Sequence, residues 1–332
     1  MDRHFHLVFV SLFYPPEGTG VGTYIQQTAR MAAEQGCRVS IITKNPHSKD
    51  KREEIIDCGS EKVYLYRVPV KKLLPGLTYL YWQKRVVSLI MKINRVTPID
   101  IIEFPSHHYE GLYYSLLPFR KIPYVVRLHG AKERLFDFRK FIGFKEKVRE
   151  FFCWIMMRGA LKLVAVSLST AGTISEFMGI PQKRIAVLHA GIDTQLFSPQ
   201  ENNISREERF RDKTIILFVG RMTKGKGVPM LVDAFLNEIK PFYPNTVLLL
   251  IGPKGGAYTT HFEKREMEKV MAKIEKERDI FYLGPKPPEA LSYYYSGAYL
   301  FVSPSEWEGS PITLREALAC GCLLYTSPSP RD

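Results

Sequence analysis

The strongest constraint on the fold is a series of short runs that are apolar at nearly every position, not at alternate ones. Leu7-Val-Phe-Val-Ser11 and Thr214-Ile-Ile-Leu-Phe-Val-Gly220 are examples. A strand with one wet face alternates apolar and polar residues, whereas a run without that alternation has both faces covered by helices, as in a parallel sheet. Strands are read at 7–11, 38–43, 63–68, 100–104, 123–128, 163–167 and 185–188, separated by amphipathic helical patterns. That alternation predicts a doubly wound α/β architecture. After Phe197-Ser-Pro199 comes a polar stretch, 200–213, without apolar periodicity, and then the same grammar resumes with strands at 214–220, 246–251, 279–283 and 298–303. The expected organisation is a first Rossmann-like domain over 1–199, a linker over 200–213 and a second such domain over 214–332.

Length agrees with two cores, since 332 residues exceed one ordinary compact domain. Apolar residues at 45% and charged residues at 24% are those of an ordinary globular chain, which excludes disorder and fibrous repeats. Five scattered cysteines fit neither a disulfide framework nor a zinc site and are expected to be small buried hydrophobes in a reducing compartment. The first apolar run reads as a strand, not as a signal peptide, and Arg158 and Lys162 interrupt the longest apolar stretch, so no membrane span is expected. The net charge of +13 is lopsided, with 29 Lys and Arg against 17 Asp and Glu in residues 1–200 and 18 against 17 beyond. Such a field suits an anionic neighbour of the first half. No zinc finger, RNP-type strand or basic heptad region accompanies it, so specific nucleic-acid recognition is not expected.

Three segments carry candidate chemistry. The first strand empties into Tyr14-Pro-Pro-Glu-Gly-Thr-Gly-Val-Gly-Thr23, ahead of a helix read from Tyr24 to Gln35 and stopped by Gly36. Without Cβ atoms, Gly18, Gly20 and Gly22 leave backbone N–H groups and the positive end of the helix open to phosphate or sugar oxygens. The spacing is not that of the dinucleotide fingerprint, and a tight turn without ligand is the alternative. In the second half, Gly220-Arg221-Met-Thr-Lys-Gly-Lys226-Gly227 leads into a helix. Arg221 offers a planar fork and Lys226 a point charge, a pair suited to gripping a diphosphate as it departs; a solvated basic turn is the other reading.

The third segment is Pro304-Ser-Glu-Trp-Glu308-Gly-Ser-Pro-Ile-Thr-Leu-Arg-Glu316. A helix is expected to begin with Ser310 as N-cap and Pro311 at its first position and to end at Gly321. Glu308 then lies in the loop, and Glu316 about 9 Å up the helix, so the two carboxylates serve different parts of one ligand. Carboxylates accept paired hydrogen bonds from sugar hydroxyls, and the N–H groups of Gly309, Ser310, Ile312 and Thr313 remain free for others. Alternatively, Glu308 complements the helix dipole and Glu316 pairs with a surface cation.

Taken in order, these pieces resemble the large retaining GT-B family GT4, the glycosyl transferases group 1. The resemblance rests on Tyr14-Pro-Pro with its glycine loop, Arg127-Leu-His-Gly130, Val166-Ser167, Ala190 to Pro199, Val219-Gly-Arg-Met with Lys226-Gly227, Ile251-Gly252 and the E-x7-E segment. It implies two Rossmann-like domains facing across a cleft. It also implies retaining transfer of a hexose-type sugar from a nucleotide diphosphate sugar to a glycan or lipid-linked acceptor, in bacterial cell-surface polysaccharide synthesis. Carried over residue by residue, it gives Arg221 and Lys226 the donor diphosphate, Glu308 the donor sugar or reaction centre and Glu316 the ribose. His129 would contact the sugar near the reacting carbon. Gly20 and Gly22 would face the donor, and Gly309, Ser310, Pro311, Ile312 and Thr313 would line its site. The family lacks the Asp-x-Asp metal signature, as does this sequence, so no metal and no further cofactor are expected.

The sequence departs from the family at Ala190, where Asn is usual, and at Ser310-Pro311. Beyond Cys322 it shows turn residues where another strand and helix are expected, so the second domain reads as incomplete and the tail Leu324 to Asp332 as non-native. Two basic, aromatic helical stretches, Tyr79 to Arg95 and Arg139 to Arg158, suit an anionic membrane surface as well as they suit ordinary amphipathic helices. The second stretch is read with Phe144, Val148, Phe151, Phe152, Ile155 and Met156 on one face. The expected location is cytoplasmic, peripheral on the inner face of the membrane. Competing readings are a sugar-nucleotide epimerase or phosphorylase of the same shape, and a truncated chain that binds donor without turnover.

Overall fold

The computed structural model describes residues 4–15, 20–45, 52–58, 61–70, 77–106, 108–118, 122–130, 144–255, 261–306 and 308–326. Two compact units divide the chain, Met1–Gly191 and Ile192–Asp332. In the first, the described strands are β1 (His6–Ser11), β2 (Arg38–Asn45), β3 (Arg52–Cys58), β4 (Glu61–Pro69), β5 (Ile101–Pro105), β6 (Tyr124–Leu128), β7 (Lys162–Ala165) and β8 (Ile185–Val187). The helices are α1 (Gly20–Glu34), α2 (Leu77–Val96), the single turn α3 (Leu112–Ser115), α4 (Phe144–Arg158) and α5 (Leu168–Met178). The second unit holds β9 (Thr214–Val219), α6 (Val228–Ala234), β10 (Thr246–Ile251), α7 (His261–Ile274), β11 (Ile280–Tyr282), α8 (Pro288–Gly297), β12 (Leu300–Ser303), α9 (Ile312–Ala319) and β13 (Leu323–Thr326).

Among the described residues the first sheet runs β3-β4-β2-β1-β5-β6-β7-β8 and the second β11-β10-β9-β12-β13. Every pairing is parallel except the β3–β4 hairpin. In both sheets the strand order reverses beside the first strand of the unit, between β1 and β5 and between β9 and β12. At such a reversal the connecting segments leave to opposite faces and open a crevice at the carboxyl ends of the strands.

Parallel pairing follows from the apolar runs. Ile215, Leu217, Val219, Val247, Leu249 and Ile251 enter one buried cluster, while Ile216, Phe218, Leu248 and Leu250 enter another. Adjacent side chains point to opposite faces of a strand, so a run with no polar position has to feed two cores. In the first unit α1 buries Tyr24, Ile25, Ala29 and Ala33, and α2 buries Trp82, Val86, Ile90 and Ile93.

The structure corrects several expectations. The stretch 200–213 is no linker: Phe197, Ile204 and Phe210 are buried in the second core, and the Phe210 ring meets Phe281 edge-on with centroids 5.2 Å apart. Its polar composition hid two apolar anchors, each in a short 3-10 turn. Strand β3 escaped sequence reading because Glu53 and Glu54 are charged and exposed on an edge strand, where charge discourages further pairing. Leu323–Thr326 form a fifth parallel strand against β12, so the expected tail is folded as far as Thr326; residues 327–332 lie outside the described residues. Trp82, the Trp of the basic aromatic stretch Tyr79 to Arg95 read as suiting a membrane surface, is fully buried and stacks on Tyr79, which removes it from any surface role. The expected apolar face of 139–158 is split: Met156 faces the core, Phe151 is exposed, and 139–143 lie outside the described residues.

Phe210→Ala therefore tests where the second core begins. A fully buried Phe removed from a packed core costs about 3–5 kcal/mol, read by urea unfolding, whereas a linker residue would leave stability unchanged.

Candidate functional site

The second unit gathers its candidates at the β9–β12 reversal. Strand β9 ends at Val219, and the chain passes through Gly220, Arg221 and a short 3-10 turn, Lys224–Lys226, before α6. Gly227 joins turn to helix with φ +72°, and a Cβ placed there would lie 2.1 Å from the carbonyl oxygen of Pro304. Only glycine meets both demands, the left-handed backbone and the contact with the chain leaving β12. The Glu306 amide N–H donates to the Gly225 carbonyl at 3.2 Å, fastening the two loops further. Gly252 repeats the device beside it, with φ +141° and a Cβ position 1.9 Å from the Gly220 carbonyl oxygen.

This backbone contact puts Lys226 against Glu308. The ammonium and the Glu308 Oε1 atom form a salt bridge, both side chains being about a quarter exposed, and the Ser305 hydroxyl donates to the same oxygen at 2.7 Å. Arg221 is half-buried at the head of the same loop. Helix α9 starts one residue later than expected: Pro311 occupies the cap position without a side-chain bond, and Ile312 is the first helical residue. Ser310 fails as a cap because its hydroxyl accepts from the Arg315 guanidinium instead. Gly309, Ser310, Pro311, Ile312 and Thr313 are all partly exposed at that helix entrance.

Glu316 lies apart from the ion pair and is 4% exposed. Its Oε2 accepts from the Tyr295 hydroxyl at 2.8 Å, so the surface cation considered from sequence is replaced by a buried phenol. Burial pushes the carboxyl up from 4.5 to about 7, and the Tyr295 hydrogen bond opposes the rise. Sequence reading missed Tyr295, which sits among Tyr293, Tyr294 and Tyr295 with nothing to mark the buried member of the run.

The first unit holds Gly20, Gly22 and His129. Both glycines lie inside the first turn of α1, which begins four residues earlier than expected; Gly18 lies outside the described residues. His129 follows β6 and meets the Tyr24 ring edge-on with centroids 4.9 Å apart. Beneath it is a polar cluster not anticipated from sequence. Tyr24 donates to Glu103 at 3.4 Å, Arg127 donates to the Tyr24 oxygen, and Arg127 Nε is 3.6 Å from Glu103. Arg127 also donates to the Leu188 carbonyl at 3.0 Å. Burial raises the Glu103 carboxyl, with Arg127 opposing. At the β1–β5 reversal a third carboxyl, Glu110, accepts from the Leu12 amide at 3.1 Å while its other oxygen is buried without a partner, and burial drives it well above the usual carboxylate value. Among the described residues, no group of three or more His, Cys, Asp or Glu is placed to hold a metal ion. None of the described helices is long and apolar enough to cross a membrane.

Comparison with known proteins gives two family matches, Glycosyltransferase Family 4 over residues 18–196 and Glycosyl transferases group 1 over residues 199–330. The second match runs through β13. A D-inositol 3-phosphate glycosyltransferase of Pseudarthrobacter chlorophenolicus is 26% identical over 316 residues, covering 91% of this chain and 72% of the relative. An uncharacterized glycosyltransferase of Methanocaldococcus jannaschii is 21% identical, covering 98% and 81%. Among solved structures, the sucrose-phosphate synthase of Thermosynechococcus elongatus superposes with a TM-score of 0.76 at 18% identity, covering 98% of this chain and 82% of that one. Anabaena HepE in complex with UDP and glucose gives 0.71 at 15%, covering 98% and 81%. These structural likenesses establish the GT-B fold.

Glu316 also gives stability a pH dependence of known sign. Between 4.5 and about 7 the folded chain keeps a proton that the unfolded chain has released, so stability falls as pH rises through that window, by about 3 kcal/mol from this group. Glu103 and Glu110 act in the same direction. Urea unfolding of Glu316→Gln between about pH 5 and about pH 8 is expected to show a shallower decline than the wild type; an unaltered slope would rule this out.

Proposed function

This chain belongs to Glycosyltransferase Family 4, its second unit being of the glycosyl transferases group 1, and from that premise we propose a retaining enzyme that moves a hexose-type sugar from a nucleotide diphosphate sugar to a glycan or lipid-linked acceptor. Bacterial cell-surface polysaccharide synthesis is the proposed setting. The observation that carries the reading is the Lys226–Glu308 pair at the β9–β12 reversal, held there by the Gly227–Pro304 contact.

The proposed chemistry follows from charge. As the bond from the sugar C1 to the phosphate oxygen breaks, negative charge collects on the diphosphate, and preorganised cations in a partly desolvated site stabilise it most where it develops. Lys226 supplies three N–H donors, of which Glu308 engages one, and Arg221 supplies a fork for paired phosphate oxygens. The reading asks for no metal in that role. Glu308, steadied by Ser305 and Lys226, is assigned to the sugar, and the amides of Gly309, Ser310, Ile312 and Thr313 at the α9 entrance to its hydroxyls, with Pro311 lining the same entrance. Glu316 takes the ribose. Gly20 presents backbone at the start of α1, with Gly22, buried within the same turn, letting the helix approach the donor closely, and His129, buttressed by Tyr24, contacts the donor sugar near the reacting carbon.

A membrane-bound acceptor is favoured by one surface of the first unit. On α4 the exposed Phe151 stacks on Trp154, Arg158 lies over Trp154 at 5.0 Å, and Lys147 is exposed beside them. Aromatic groups flanked by cations suit the headgroup region of an anionic leaflet, and a peripheral position on the inner face of the cytoplasmic membrane is proposed.

Incubation with UDP-, GDP- and ADP-sugars and membrane lipid extract should release one nucleotide and give a product whose anomeric configuration, read by NMR, matches the donor; inversion would refute retention. Lys226→Ala is expected to lower kcat/KM by about 100-fold with the fold intact, the scale of losing one preorganised charge contact. Unchanged kinetics would remove Lys226 from the site. Phe151→Ser is expected to reduce co-sedimentation with anionic but not neutral vesicles, and equal pelleting with both would refute the membrane proposal.

A further inference from the structure

We infer that Tyr295 is a positioning residue for nucleotide binding: its phenol holds one oxygen of Glu316 so that the carboxylate is presented, oriented and ionised, to the paired hydroxyls of a ribose. The inference rests on the proposed assignment of Glu316 to the ribose.

Tyr295 is itself held by packing. It is fully buried on α8, with its ring edge-on to Phe197 and Phe301 at centroid separations of 6.3 and 5.6 Å. Phe197 comes from the segment entering the second unit and Phe301 from β12, so the phenol is clamped by parts of the chain far apart in sequence. Its hydroxyl donates to Glu316 Oε2, 2.8 Å away. A carboxylate carries about four acceptor sites, so one phenol bond leaves capacity for a vicinal diol.

The electrostatics require such a partner. A carboxyl that is 4% exposed favours its neutral form, and the neutral form has lost one acceptor oxygen to a proton. Among the described residues, the group that counters burial at Glu316 is the Tyr295 hydroxyl and not a cation. An uncharged donor steadies the anion without satisfying it, so ribose hydroxyls still gain by binding. A lysine or arginine in its place would compete with them.

The test compares UDP, GDP and ADP with their 2′,3′-dideoxy counterparts by calorimetry on the full chain across about pH 6 to about pH 8.5, a range that brackets the Glu316 transition. In the wild type, the nucleotide that binds should lose about 10- to 100-fold in affinity on removal of the ribose hydroxyls, the scale of hydrogen bonds to a charged group. That preference should weaken as pH falls through about 7, the value to which Glu316 is raised. Tyr295→Phe should cut the preference about 3- to 10-fold, the loss of one oriented hydrogen bond, and move its acid limb to higher pH. It should raise donor KM more than it lowers kcat. Replacing Tyr295 with 3,5-difluorotyrosine, a nearly isosteric and stronger donor, should move the limb to lower pH and covers the case in which the Phe variant does not fold. If Glu316→Gln leaves the ribose preference intact, the ribose assignment fails and this inference fails with it. If Glu316→Gln abolishes the preference while both Tyr295 variants keep the wild-type preference and acid limb, the inference alone is overturned.

Discussion

The contact between Gly227 and the carbonyl of Pro304 is the constraint on which the candidate site of the second unit depends. Two segments separated by more than seventy residues leave neighbouring strands β9 and β12, and they touch only because Gly227 carries no side chain and turns through a left-handed backbone. A Cβ there would collide with backbone, which cannot swing aside as a side chain can. From this approach follow the Glu306–Gly225 hydrogen bond, the meeting of Lys226 with Glu308 and the half-exposed entrance of α9. Gly252 against Gly220 does the same for the adjoining strand, so at these two points the carboxyl edge of the sheet is backbone packed on backbone.

Buried carboxyls form a second theme. Glu103, Glu110 and Glu316 all lie where burial favours the proton, yet each is countered differently: Glu103 by the Arg127 guanidinium together with the Tyr24 hydroxyl, Glu110 by the Leu12 amide together with the Lys44 charge, and Glu316 by a phenol. A single neutral donor leaves a carboxylate most of its acceptor capacity, about three of four sites. Glu103, engaged by both Arg127 and Tyr24, is a structural strut beneath His129.

Much of the fold could be read from local pattern. The runs from Leu7 and Thr214 announce two-faced burial directly, because a strand that feeds two cores has no polar position to spare. Reading failed where a few apolar anchors were scattered through polar text. Ile204 and Phe210 have too little periodicity to reveal that 200–213 is folded, and Trp82 looks like a membrane residue until α2 is rotated against its sheet. The α9 entrance was misplaced by one residue because Ser310 has a stronger claim on it from Arg315, five residues away, than from the helix amides.

Residue types and their order were enough to single out Arg221, Lys226, Glu308 and Glu316 as candidates and to point to the family, since both follow from motifs that are each contiguous in the chain. Sequence could not say which of those residues would touch, or through what. The pairing of Lys226 with Glu308, the choice of Tyr295 over its two tyrosine neighbours and the cluster of Tyr24, Glu103 and Arg127 each join separate elements. Their partners are selected by strand order and helix rotation, which are properties of the packed chain, and no local spacing encodes them.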